Sequence, residues 1–164
     1  MTQQQSKTPQ RQTIEQERGR AAWSCVKHIK TLEKKEQQEY RSLARGLNAM
    51  IQINGLGQTL GFCFAKSTDS KTGRPEPKKA HYQILLHLTN WMREHFKSSA
   101  NEINSGYKGL LLWAIDELTT SSDYRRATTE CLAFGRWLSR FAEAELSDST
   151  SSSGGTNGGT GNGE

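Results

Sequence analysis

The sequence predicts an all-α fold, a single compact helical bundle of about five to six helices. Three observations predict it. Apolar residues recur three and four positions apart in long runs, the spacing that gathers them on one side of a helix. Valine occurs once, at Val26, and nowhere do β-branched residues alternate with polar ones over enough positions to argue a sheet. Both ends are polar, so one stretch alone can build a core.

Residues 1–12, rich in Gln, Lys and Arg, are expected to form a flexible N-terminal segment. Residues 147–164 are almost entirely Ser, Thr, Gly and Asn and cannot offset their own ordering entropy, so a disordered tail is expected there. Residues 13–146 remain as the helical bundle domain, enough for one modest core. No internal repeat argues for a solenoid.

The first helix carries Ile14, Ala21, Ala22, Cys25, Ile29 and Leu32 on one face. Tyr40, Leu43, Leu47, Met50 and Ile51 make the second, which Asn54-Gly55 ends because both residues tolerate the left-handed backbone. A short third helix holds Leu56, Leu60, Cys63 and Phe64. The stretch from Ser67 to Pro77, with Gly73, Pro75 and Pro77, is a surface loop. Tyr82, Leu85, Leu88, Met92 and Phe96 place a fourth helix, and Leu110, Leu111, Ala114 and Leu118 a shorter fifth. The sixth is the clearest: Tyr124, Ala127, Cys131, Phe134, Leu138 and Phe141, with Ser122 or Asp123 as its N-cap.

Charge narrows the function. Setting aside the tail, with Asp148 and Glu164 and no cation, raises the formal net charge from +5 to +7. That excess favours polyanionic partners. The longest apolar stretch, around Leu110 to Ile115, is far short of a membrane span, and no signal-peptide pattern opens the chain. Cys25, Cys63 and Cys131 each lie within an apolar pattern and read as reduced core residues of a cytoplasmic protein.

Catalytic and metal-binding patterns are absent or incomplete, so no catalytic residue, metal or cofactor is expected. Cys25-x-x-His28 is half a zinc site with no second pair. His81, His87 and His95 are six and eight residues apart, which forms no one-turn clamp. Gly55, Gly57 and Gly61 follow G-x-G-x-x-x-G, not the dinucleotide fingerprint, and helix termination with close packing accounts for them. Asp116-Glu117 has no partner carboxylate to complete an acid/base pair.

Binding is better represented. On the last helix Arg125, Arg126, Arg136 and Arg140 fall within an arc of about 100° opposite the apolar face, diluted by Glu143. On the second, Lys34, Arg41, Arg45, Asn48 and Gln52 share an arc of about 60°. A guanidinium fork can engage two phosphate oxygens at once, and two such faces could bracket a nucleic-acid backbone. The same arcs also serve simple solvation. Trp23 points away from the first helix's apolar stripe, towards Arg20, Lys27 and Lys30; it suits either stacking on a base or burial of that helix on two sides.

The run Tyr40-Arg41-Ser42-Leu43-Ala44-Arg45-Gly46-Leu47, followed by Met50-Ile51-Gln52-Ile53-Asn54-Gly55-Leu56-Gly57-Gln58-Thr59-Leu60, resembles the small subunit of the type III-B CRISPR Cmr (RAMP module) effector complex. The similarity continues through Gly61-Phe62-Cys63-Phe64-Ala65-Lys66, Tyr82 with Leu85, Leu86 and Trp91, then Tyr124 to Glu130 and Trp137 to Ala142. The resemblance implies a helical, non-enzymatic subunit that stacks with copies of itself and the large subunit along the backbone subunits. It also implies contact with guide and target RNA in antiviral defence. Contact candidates are Arg41, Arg45, Lys66, Arg125, Arg126, Arg136 and Arg140, Lys66 because it closes the matching segment. The rival expectation is a helical protein–protein adaptor that touches no RNA.

Overall fold

The structure is a computed structural model that describes residues 12–146. The expected flexible segment, except for Gln12, and the expected tail lie outside the described residues. Among the described residues there are six helices and no strand, only an isolated bridge between Thr68 and Pro75 in the loop after the third helix.

Helix α1 (Ile14–Ile29) begins at Thr13, whose hydroxyl accepts the Gln16 N–H while the Gln16 side chain accepts the Thr13 N–H at 2.9 Å. This reciprocal box satisfies two N–H groups that have no partner within the helix. The helix stops short of the expected Leu32. The buried Gln37 amide donates to the carbonyls of Lys30 and Leu32, at 3.1 and 2.8 Å, and so holds the chain in a turn.

Helix α2 (Lys34–Asn54) ends at Gly55, whose φ of 85° admits no side chain cheaply, and α3 (Leu56–Lys66) starts at the next residue. Gly57 N–H donates to Tyr124 Oη at 2.7 Å, so a residue of the last helix takes a capping role at α3. Close packing, expected for the glycines here, applies at Gly57; a side chain at Gly61 would meet nothing within 4 Å.

Helix α4 (Ala80–His95) crosses α2, α3 and α6. Helix α5 spans only Gly109–Ala114 and closes against α3 and α4. Leu118, expected within it, lies in a turn because Asp116 accepts the Leu118 N–H at 2.8 Å and draws the backbone out of helix. Helix α6 (Ser121–Glu145) lies along both α1 and α2. Its N-cap is Thr120, not Ser122 or Asp123 as expected. The Asp123 carboxylate instead accepts the Ser99 N–H at 2.8 Å, the Ser98 and Ser99 hydroxyls, and Arg126, fastening the α4–α5 connection to α6.

The core lies between these helices and includes Val26, Ile29, Tyr40, Leu47, Ile51, Leu60, Ile84, Leu88, Met92, Leu110, Phe134 and Leu138, all but fully buried. Trp91 stacks on Phe134 with centroids 4.9 Å apart, and its indole N–H donates to Glu130 at 2.8 Å. A buried aromatic with a satisfied polar edge positions α4 against α6 in direction as well as distance.

Candidate nucleic-acid interface

Helix α6 buries Ala127, Cys131, Phe134, Leu138 and Ala142, which leaves the opposite side to solvent. Arg125, Arg136 and Arg140 lie on that outward side, all exposed, and make no ion pair among the described residues. From Arg125 to Arg140 the stripe runs about 22 Å at 1.5 Å per residue. Arg126, assigned to the same arc, leaves the stripe: its guanidinium pairs with Asp123 at 2.8 Å and covers the Phe96 ring at 5.0 Å.

The α2 arc has a different fate. Asn48 Nδ2 donates to Leu132 O at 2.9 Å, and it fits because a Cβ at Gly135 would overlap Asn48 Oδ1. Arg45 Nε reaches Glu143 at 2.9 Å, and Arg41 is half-buried. The α2 arc therefore meets α6 along a seam, through Asn48 and Arg45. Lys66 ends α3 near His81, apart from the α6 stripe.

Two features escaped the sequence reading. Lys97, one residue beyond Phe96, the C-cap of α4, is exposed and lines a cleft of about 350 Å³ with His95, Phe96, Arg126, Thr129 and Glu130. Arg18 of α1 grips Glu130 with two bonds at 2.7 and 2.8 Å and also meets Glu15. Burial works to raise the Glu130 carboxyl, yet the bonds from Arg18 and Trp91 outweigh it and hold the group below its ordinary value. Neither feature lies on an arc that periodicity singles out.

Trp23 is 40% exposed, with Phe141 edge-on at 5.2 Å and the Lys27 ammonium 5.7 Å from its ring. Helix α6 thus covers part of it and leaves part open. The thiols of Cys25 and Cys63 are pushed up to about 12 by burial, and that of Cys131 higher still, so none is a thiolate nucleophile at neutral pH. His87 bonds Tyr40 Oη at 2.8 Å; burial, aided by His28, lowers it to about 3. No group of three or more metal-ligating side chains converges among the described residues. No helix there is long and apolar enough to cross a membrane.

A family model described as CRISPR-associated protein (Cas_Cmr5) matches residues 14–145, all six helices. The chain belongs to the Cmr5 family. Membership makes it a subunit of a CRISPR Cmr complex, in agreement with the resemblance carried by the Tyr40–Lys66 and α6 segments. A crystal structure of a CRISPR-associated Cmr5 family protein from Thermus thermophilus shares the fold, with a TM-score of 0.61 at 24% identity. The match covers 83% of this chain and 100% of that one. The Cmr5 fold in this chain places its longest helix where one face is core and the other is cationic.

Proposed function

We propose that this chain is the non-catalytic small subunit of a cytoplasmic type III-B Cmr RNA-guided effector. It stacks with copies of itself and with the large subunit along the backbone filament, and α6 contacts guide or target RNA. The observation that carries this reading is the outward stripe of Arg125, Arg136 and Arg140. The acids that flank it in sequence, Asp123 and Glu143, are engaged by Arg126 and Arg45. Unpaired guanidinium groups on a rigid helix keep their full capacity for phosphate and release counterions on binding. Arg41, Arg45 and Arg126 contribute less, because acids or packing already hold part of their capacity, and Lys66 acts separately from the stripe.

The test is titration of labelled single-stranded RNA at two salt concentrations, with the purified protein alone and then with its neighbouring Cmr subunits and guide RNA. The expected result is salt-dependent binding with little sequence preference, strengthened by the other subunits. Binding of Cmr subunits with no RNA contribution in either setting overturns the reading and leaves the protein-only adaptor. The exposed apolar side chains Ile53, Ile115 and Leu118 are what favour that second reading.

A further inference from the structure

Helices α1 and α6 run side by side in one direction: a Cβ at Gly19 would stand 3.7 Å from the Trp137 ring, Trp23 meets Phe141, and Lys30 reaches Glu145 at 2.8 Å. Three aromatic rings bridge this junction. Trp137 and Phe141, one turn apart on α6, have centroids 5.3 Å apart, and Trp23 of α1 meets Phe141 edge-on at 5.2 Å. The Trp137 indole N–H is satisfied by Glu15 at 2.9 Å. Trp137 and Phe141 are half-buried, whereas Trp23 at the outer rim stays 40% exposed. One face of its ring is turned to water, because the group over that face is the Lys27 ammonium, 5.7 Å from the centroid, on an exposed side chain.

The charge around Trp23 is one-sided. Arg20, one turn before it, and Lys27, one turn after, are both exposed. On α6, Arg136 precedes Trp137 and Arg140 precedes Phe141, each about 100° further round the helix from the core, so the outward stripe borders the same rings. The acids at this junction are engaged, Glu15 by Arg18 and Trp137 and Glu145 by Lys30. Arg20, Arg136 and Arg140 make no ion pair among the described residues. An open aromatic face set among cations with no free acid matches an unpaired nucleotide, whose base stacks on the ring while its phosphates meet the cations.

We propose that Trp23 is a stacking platform for an unpaired base of the RNA, with the phosphates on either side of that base held by Arg20 and Lys27 of α1 and by Arg136 and Arg140 of α6. The incoming base takes the place of the Lys27 ammonium on the ring, and the flexible lysine stem lets the ammonium swing to an adjacent phosphate. The inference rests on the RNA contact proposed above and names the kind of strand it takes. A base inside a duplex is already paired and stacked on its neighbours, so Trp23 favours single-stranded RNA, a choice that the arginine stripe alone does not make.

The experiment titrates three labelled RNAs at two salt concentrations: a single strand, the same strand with abasic sites in place of its bases, and its duplex. The full chain is used alone and with its neighbouring Cmr subunits loaded with a guide of unrelated sequence. Trp23→Ala should bind the intact single strand on the order of tenfold more weakly, the scale of one base stacked on an aromatic ring, with an unchanged salt slope because no cation is lost. Trp23→Phe should recover most of that loss. The abasic strand should show a similar loss with the unaltered chain, which no folding defect imitates, and Trp23→Ala should bind abasic strand and duplex as the unaltered chain does. Equal binding of the intact strand by Trp23→Ala and the unaltered chain, or an equal loss on all three RNAs, overturns the inference and leaves the arginine stripe as the contact. Absence of salt-dependent binding by the unaltered chain in both settings overturns the RNA reading and this inference with it.

Discussion

On the flank of α6 that meets α1 and α4, Glu130 is held by Arg18 and Trp91 at 2.7 to 2.8 Å, with both charged side chains mostly covered. On the outward face of the same helix, Arg136 and Arg140 meet no acid among the described residues. Arg18 carries the same guanidinium as Arg136 and Arg140, and its partner Glu130 lies within three turns of them on α6. What separates them is whether a neighbouring helix reaches that side. The covered pair holds elements together and has nothing left for a ligand, while the open pair contributes little to folding and keeps its donors available.

This contrast is sharpest in stability. Glu130→Ala leaves a largely covered guanidinium and an indole N–H without their acceptor, and is expected to cost about 3 kcal/mol. Urea denaturation measures it, and RNA affinity per folded molecule should stay within twofold, roughly the noise of a surface change. A loss of RNA binding without a loss of stability would erase the distinction between the two sides.

Acid should weaken the covered interior before it touches the outer stripe. His87 is buried neutral, with its folded value lowered from 6.5 to about 3. The unfolded chain therefore takes up a proton that the folded one refuses. The stabilising contribution is full above 6.5 and is lost as pH falls from there towards 3. Each unit in that window should remove about 1.4 kcal/mol, and His87→Gln should flatten the dependence in chemical melts across pH.

Removing the open pair together, Arg136→Gln with Arg140→Gln, should weaken RNA binding on the order of tenfold at low salt. The log–log salt slope should fall by about 1.4, and stability should move less than about 0.5 kcal/mol. An unchanged slope counts against this face. Arg45→Gln is the intermediate case and the smallest effect. Its pair with Glu143 is about half exposed, so stability should change by under about 1 kcal/mol and RNA affinity by about twofold or less. Were Arg45→Gln to match the α6 double variant, the seam as a whole would be the contact.

Periodicity was enough to place all six helices, because each must present an apolar stripe to one core. It misjudged ends where side chains compete with the backbone: Leu118 leaves α5 on account of Asp116, and Thr120 precedes the expected N-cap of α6. The candidate interface was half legible. A helical wheel locates Arg136 and Arg45 equally well, yet it cannot see that Glu143 crosses to Arg45 or that Asn48 enters the space left by Gly135. Arg18 and Glu130 are 112 residues apart, and no local pattern joins them.

The hydroxyl of Tyr124 supplies an acceptor to the start of α3, and α1 and α2 both lie against α6. During synthesis the first helices therefore emerge well before the surface that shelters them. Until the segment through Leu138 has left the ribosome, the stripes of Val26, Ile29, Leu47 and Ile51 lack much of their cover. A chain cut short before that point is not a shorter subunit but an unfinished one, with the α6-facing sides of α1 and α2 left bare.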